Sequence, residues 1–597
     1  MGAAIPQERV TDSTEQGSTQ AIRSLLIVDC GSVFTKVALL GRVDGRFRML
    51  ARAQSLTTNM PPITDVLVGV RHALSEIERT TGCTLQRDQH IILPMREDGT
   101  GVDGVALVMS AGGPLHLLTT GPGRDHLAAL VLRSLGGLFI SVEALPVLSA
   151  RPQPPSMDTA FSQARLRQPH ALLVVGQPFG EVRPSVTLEE ATTAISDWIA
   201  RLNDTGLAAG QRTPVVFTGS AREAERLAPP LRDRVAMQVV EGLSPSTLTP
   251  LNRAVSALYE PVVLSTLPGF AALRQVASAP PIATITALAG MVRFLAQRFE
   301  TNVVGVDVGA SSTALAGSTA QGEFLPALHP SAGVGPGIGT LLRARGAAGA
   351  MQWLAILATE DELREYALMR MLRPTMLPLT TRELEFEYAF AREAIQLALR
   401  APGARLAGMH PMDVVLGTGG VLANVPHPAH AALLLLDALQ PRGITALMLD
   451  TAQLASMIGS GAALDAVRIG EAAISDAIGT QLATVISPVG EVAQGEPVVR
   501  VTLEFASGHQ HEEEVHAGAI ARLPLPVGEQ AILGLYPAPG VDIGLGPGQH
   551  AHGSEPVEGG PLGLVVDARG RPLRFPQDRE ARAMRLLEWR RTLGLEG

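Results

Sequence analysis

The sequence predicts a mixed α/β protein of two related lobes facing each other, followed by a small all-β region. Three observations carry that expectation. The same strand–Asp-x-Gly–hairpin layout occurs twice, roughly half the chain apart. Apolar strands alternate with amphipathic helical stretches around the two copies. The composition then changes near residue 485 to short apolar runs broken by Gly and Pro.

The first copy spans 24–50: an apolar run ends in Asp29, Cys30-Gly31-Ser32 form a small-residue turn, and a second apolar strand runs from Phe34 to Leu40. Asp44-Gly45 is then a hairpin signal, and a third strand follows. The second copy spans 302–328, with Asp307 at the strand end, Gly309, Ala310, Ser311 and Ser312 in the turn, and Gly322 closing the next one. Between the copies, 90–95, 104–111, 115–120, 170–176 and 213–219 read as strands, and 65–80, 188–204 and 251–263 as helices. Beyond them, 350–400 is strongly helical, 431–439 reads as a buried helix carrying Asp437, 413–417 as a strand, and 450–461 as a helix. The alternation implies layered α/β structure with a largely parallel sheet.

At roughly 100–200 residues per domain, 597 residues imply three or four domains. The divisions read from the pattern are a disordered polar tail (1–22), a first lobe with an α/β insertion (23–300), a second lobe (301–475), a β domain (485–576) and a basic amphipathic helix (577–597) docked through Met584, Leu587 and Trp589 with its arginines toward solvent. A net charge of −9 argues against a nucleic-acid partner, which calls for a basic face. No run approaches the ~18 apolar residues of a membrane span. Two cysteines, Cys30 and Cys83, make neither a disulfide framework nor a metal motif and fit a reducing cytoplasm.

A tight Asp-x-Gly turn has a specific chemical use. Its backbone N–H groups can cradle phosphate oxygens, glycine admits close approach, and the carboxylate at the strand end can hold Mg²⁺, usually through waters. Ser32, Thr35 and Lys36 add donors in the first copy, and Ser311 and Ser312 in the second. One such turn is ordinary; two in matching settings point to a phosphate ligand between the lobes. A third element, 414–428, runs a strand into Gly417-Thr418-Gly419-Gly420 and suits a nucleoside lying across the loop, although the same residues also make a plain strand-to-helix turn. The Gly-rich stretch 331–340 fits no GxGxxG register and reads as a flexible loop. His509, His511 and His516 lie among three Glu and read as a solvated hairpin tip rather than a metal site; His550 and His552 read the same way.

In this order and spacing, DCGSVFTK (29–36), VDVGASSTAL (306–315) and VLGTGGVL (415–422) resemble the actin-like ATPase superfamily, with its ribonuclease H-like lobes. More narrowly, the chain resembles the MutL family of glutamate mutase accessory proteins, unrelated to the mismatch-repair protein of that name. The likeness covers about 24–470 and includes 109–113, 170–180, 213–220 and 374–380. The resemblance implies ATP and Mg²⁺ in an interlobe cleft, and an accessory role in reactivation or assembly of an adenosylcobalamin-dependent mutase. It places Asp29 and Asp307 at the metal and its waters. Gly31, Ser32, Thr35, Lys36, Gly309, Ser311 and Ser312 fall at phosphate, and Gly417, Gly419 and Gly420 at the nucleoside. The chain departs from the family pattern at Val33, at Ala310, where glycine is usual, and at Ala314, where the pattern closes on Asp. Two other readings stand beside this one: a non-hydrolysing scaffold acting through protein contacts, and a small-molecule kinase, which needs a general base that the sequence does not single out.

Overall fold

The computed structural model describes residues 22–120, 126–144, 169–176, 212–222, 224–225, 235–241, 248–461 and 479–595. The polar segment 1–21 and the expected helix 188–204 lie outside them. In the first lobe, the apolar run Ser24–Cys30 (β1) hairpins into Phe34–Val43 (β2) and then Arg46–Leu56 (β3), with Asp44 and Gly45 taking the positive φ angles that a tight turn requires. Gly104–Met109 (β4) adds in parallel on the other side of β1, giving the order β3-β2-β1-β4. A separate five-stranded parallel sheet follows, from Leu115–Thr120 (β5), Ile140–Ala144 (β6), Ala171–Val175 (β7), Thr213–Gly219 (β8) and Val235–Glu241 (β9), in the order β9-β8-β7-β5-β6. The stretch 90–95 yields only the two-residue strand His90–Ile91.

The second lobe repeats the first. Val303–Val308 (β10), Thr313–Ser318 (β11) and Phe324–His329 (β12) form the meander, and Val414–Thr418 (β13) adds parallel to β10. The sheet continues through Gly443–Leu449 (β14) and Thr480–Ser487 (β15). Two strands of the C-terminal region then complete it: Leu564–Asp567 (β20), parallel to β15, and Ile520–Leu523 (β18), antiparallel to β20. The order is β12-β11-β10-β13-β14-β15-β20-β18, eight strands in all. A further antiparallel sheet pairs Gln510–His516 (β17), Pro497–Phe505 (β16) and Gln530–Pro537 (β19). The C-terminal β region is therefore built partly into the second lobe rather than appended to it.

Two helices lie between the lobes. Thr284–Phe299 (α1) and Ala455–Gly461 (α2) cross where Gly290 meets Gly459: a Cβ on Gly290 would stand 2.9 Å from the Gly459 carbonyl oxygen, and one on Gly459 would overlap the Ala287 carbonyl. Their side chains Leu288, Val292, Met457 and Ile458 share one buried core with Leu25, Ile27, Ala38 and Phe47 of the first lobe and Val303, Ala314, Ala316 and Leu416 of the second. Two capping boxes start the helices over the second lobe: Thr359 with Glu362 at Glu360–Leu372 (α3), and Thr380 with Glu383 at Thr381–Leu399 (α4).

The last helix, Arg579–Thr592 (α5), buries Ala583, Leu586 and Trp589. Met584 is exposed instead, and Arg590 pairs with buried Glu385 of α4 rather than facing solvent. Trp589 docks as expected and Leu587 packs half-buried against the core, while Ala583 and Leu586 fill the place expected for Met584. No described helix is long and apolar enough to cross a membrane.

Candidate functional site

The two hairpins place their turns alike. Asp29 and Asp307 are the second-to-last residues of β1 and β10; Gly31 N–H donates to Phe34 O and Gly309 N–H to Ser312 O, both at 3.0 Å. Each glycine is required for the same reason: a Cβ would lie 2.8 Å from Phe34 O at Gly31 and 2.9 Å from Ser312 O at Gly309. Period-two geometry then sets the cross-strand neighbours. Asp29 sits opposite Lys36, and Asp307 opposite Ala314. The first loop thus carries its own cation and the second does not.

Lys36 Nζ donates to Asp29 Oδ2 at 3.1 Å, while Asp29 Oδ1 is buried with no partner among the described residues. Burial works against the Lys36 ammonium, but the carboxylates of Asp29 and Asp307 outweigh it and raise its pKa above the ordinary lysine value. Asp307 keeps part of its surface open to the cleft, yet protein surrounds it closely. Desolvation lifts its pKa to about 6; Lys36 opposes the shift, and Asp29 and Asp450 reinforce it. Lys36 and both aspartates act on one another electrostatically, so the two loops lie close together.

Ser32, Ser311 and Ser312 are half-buried, and their hydroxyls make no hydrogen bond among the described residues. Thr35 is different. It pairs with Cys30, on the face of the hairpin away from Asp29 and Lys36. It is fully buried, and its hydroxyl lies 2.9 Å from that of Thr57, which donates to Gly31 O. Thr35 therefore braces the turn from behind and does not reach the cleft.

The third turn divides by residue. Gly417 packs inward, where a Cβ would meet Leu435 and Leu422 at 3.2 and 3.3 Å. Gly419, at φ +89°, presses on the second loop: a Cβ there would overlap Asp307 Oδ1 and stand 2.7 Å from Val308 O. Gly420 is exposed, with nothing near its Cβ position. The structure thus brings Asp29, Gly31, Ser32, Lys36, Asp307, Gly309, Ser311, Ser312, Gly419 and Gly420 to one cleft and leaves Thr35 and Gly417 behind it.

The 331–340 stretch is not a free loop. Val334 N–H donates to Gly309 O (3.1 Å), and Gly335 and Gly337 N–H both donate to Ala310 O (2.8 and 3.1 Å). Its glycines are needed because it lies directly on that turn; a Cβ on Gly333 would stand 2.6 Å from Ala310 O. The Ala310 methyl faces Gly335 within this clasp, so the alanine packs against the loop.

Two more residues belong to the surroundings. Asp450 is buried and accepts from Thr418 Oγ1 (2.9 Å) and from Leu454 and Ala455 N–H (3.0 and 2.8 Å), capping α2. That cap shortens the helix expected over 450–461. Arg52 on β3 bonds Gln54 at 3.3 Å, but its Nε is buried without a partner among the described residues. A charged residue at the strand end before a helix was a signal for Asp450; an arginine on the inward face of a strand was one for Arg52.

The donor set fits a magnesium–phosphate ligand. It is all oxygen on the acidic side, includes the orphaned Asp29 Oδ1, and is surrounded by glycine turns. No cluster of three or more His, Cys, Asp or Glu that could hold a metal exists among the described residues, and Mg²⁺ bound beside phosphates needs only one or two carboxylates.

Two lobes of the same strand order, each presenting an Asp-x-Gly turn to a shared cleft, define the two-lobed, actin-like class of nucleotide-binding folds. A family model described as MutL protein matches residues 25–129 and 189–469, well over half of the chain. The chain belongs to that family, in its glutamate mutase sense. No curated protein matches it. Among solved structures, an ATP-dependent acetone carboxylase in nucleotide-free form is 12% identical, with 83% of this chain and 81% of that chain covered at a TM-score of 0.33. A nucleotide-free diol dehydratase-reactivating factor is 11% identical, covering 74% and 99% at 0.28. Component A of the (R)-2-hydroxyglutaryl-CoA dehydratase of Acidaminococcus fermentans is 8% identical, covering 73% and 96% at 0.26. Likenesses this distant say nothing of the present chain's chemistry.

Proposed function

We propose that the protein is an ATP-binding accessory protein that reactivates or assembles an adenosylcobalamin-dependent mutase. Family membership supports the accessory role. The observation that carries nucleotide binding is the pair of matched Asp-x-Gly turns across one cleft, with Asp29 Oδ1 and three serine hydroxyls left without partners among the described residues. In this reading Asp29 and Asp307 hold Mg²⁺ and its waters. Gly31 and Ser32, with Gly309, Ser311 and Ser312, receive the phosphates from opposite sides, and Lys36 supplies the cation. Gly419 and Gly420 lie toward the nucleoside. Mg²⁺, when bound, supplies charge neutralisation at the β- and γ-phosphates. The residues themselves bind and orient, and closure of the lobes about α1 and α2 converts occupancy into a shape that a partner can read.

One observation favours binding without turnover. The residue opposite Asp307 is Ala314, 5% exposed, with its methyl in the interlobe core, so this hairpin adds no second carboxylate to orient water. Calorimetric titration with ATP and Mg²⁺, beside Asp29→Asn, tests the binding. Loss of a charge-assisted contact worth roughly 1.5–3 kcal/mol predicts an affinity at least about tenfold weaker in the variant. Equal heats and affinities would sink the assignment. ADP release by the wild type then separates an ATPase from a non-hydrolysing scaffold.

A further inference from the structure

The loop that clasps the second Asp-x-Gly turn is itself held from behind by one side chain. Arg370, on α3 and 5% exposed, donates Nε to Val334 O at 3.2 Å and one Nη to the Met376 carbonyl. Its other Nη faces Glu387 of α4 at 3.5 Å, and Glu387 accepts from the Tyr366 hydroxyl at 2.6 Å. The same guanidinium thus touches the glycine loop, the α3–α4 framework and the segment 373–380. In that segment Leu377 is 65% and Leu379 86% exposed. On the loop's other side the chain of contacts is equally short, through the Val334, Gly335 and Gly337 N–H groups to the carbonyls of Gly309 and Ala310.

We infer that Arg370 is a positioning residue coupling the second Asp-x-Gly turn to the exposed segment 373–380, so that occupancy of the turn is read out as a change in that segment. The inference rests on the nucleotide reading of the cleft. Its physical basis is the guanidinium's rigid fork, whose donors keep fixed relative positions. A displaced Val334 carbonyl either takes the guanidinium with it, dragging Met376, or leaves a buried charged donor unpaired, which buried charge does not tolerate. Lysine offers one ammonium in place of the fork and cannot span the three acceptors. Both ends of the path are hydrogen-bonded, so the coupling has a mechanical link and does not depend on proximity alone.

Hydrogen–deuterium exchange on the full chain tests it, with and without ATP and Mg²⁺, for wild type, Arg370→Lys and Arg370→Gln. In wild type, nucleotide should alter exchange at 309–312, 333–337 and 373–380 together. Without nucleotide, both variants should exchange severalfold faster at 333–337 and 373–380, while the helix Pro428–Leu439 stays as protected as in wild type. ATP affinity should fall by on the order of tenfold in both. A wild-type response confined to 309–337, with 373–380 unmoved, overturns the coupling and leaves the ATP site standing; this result needs no variant to fold. Absence of any response to ATP overturns the nucleotide reading, and the inference with it. Variants that bind ATP as wild type does, with 373–380 still responding, show that Arg370 is not the link.

Discussion

Asp307 carries a conflict that the rest of the cleft does not resolve. Its neighbours in the sheet are Ala314 and Thr418, and the cation nearest to it, Lys36, comes from the other lobe. Burial, with Asp29 and Asp450 adding to it, lifts the pKa from the ordinary 3.8 to about 6. Between those values the folded chain holds a proton that the unfolded chain has released. Stability therefore falls as pH rises through that window, by at most about 3 kcal/mol. Asp307→Asn should abolish that dependence, raising the thermal midpoint of the nucleotide-free protein at pH 7 while removing Mg²⁺-dependent ATP binding. Because the metal takes the ionised carboxylate, affinity in the wild type should weaken below about pH 6, and binding there should release a proton. Titrations in buffers of different ionisation enthalpy measure the proton. Superimposable stability curves for wild type and variant from pH 4 to 7 would remove the charge conflict from the account.

At the scale of elements, three loops make the cleft, and glycine contacts fix how they meet. Gly419 and Gly420 separate structure from ligand contact. Gly419→Ala forces a side chain onto Asp307 and Val308 at φ +89°, so it should cost about 1–3 kcal/mol and abolish ATP binding. Gly420→Ala meets open space, so it should leave the midpoint unchanged and reduce ATP affinity only if the nucleoside lies there. Thermal melts and calorimetry on the two variants read the difference; equal melts would mean the Gly419 contact yields readily.

The two hairpins were legible in the sequence because their chemistry is local: strand, Asp, glycine turn and return strand lie within about 20 residues. The offset of seven that sets Lys36 against Asp29 and Ala314 against Asp307 was in the same stretch. Thr35 was misplaced because alternation along β2 turns it away from Lys36, its neighbour. The 331–340 loop looked flexible because its glycines answer to the carbonyls of 309 and 310, which sequence spacing does not display. Asp450 and Arg52 were missed for a related reason: their partners come from other elements or, for Arg52 Nε, are lacking among the described residues.

At the scale of the molecule, the C-terminal region is held to the second lobe by buried charge as well as by the shared sheet. Asp437, in the helix Pro428–Leu439, accepts from Arg392 Nε and from Arg569 Nη1, both at 2.7 Å. Arg569 also pairs with Asp567 at 2.8 Å, and Arg571 with Asp567 at 2.7 Å. Burial opposes the charged form of Asp567, but the two arginines hold its carboxyl far below the usual range. Removing one member of such a set leaves the others buried and unpaired, at about 3–5 kcal/mol. Asp437→Ala leaves Arg392 without its carboxylate and Arg569 with Asp567 alone. It should therefore lower the stability of the second lobe and the C-terminal region together, as one transition. Truncation after residue 478 should be worse, because it removes three of the eight strands and bares β14 along its length. Differential scanning calorimetry decides the point. If the C-terminal region melts on its own in Asp437→Ala while the lobe keeps its midpoint, the region is a separate domain, and the eight-stranded sheet is not a cooperative unit.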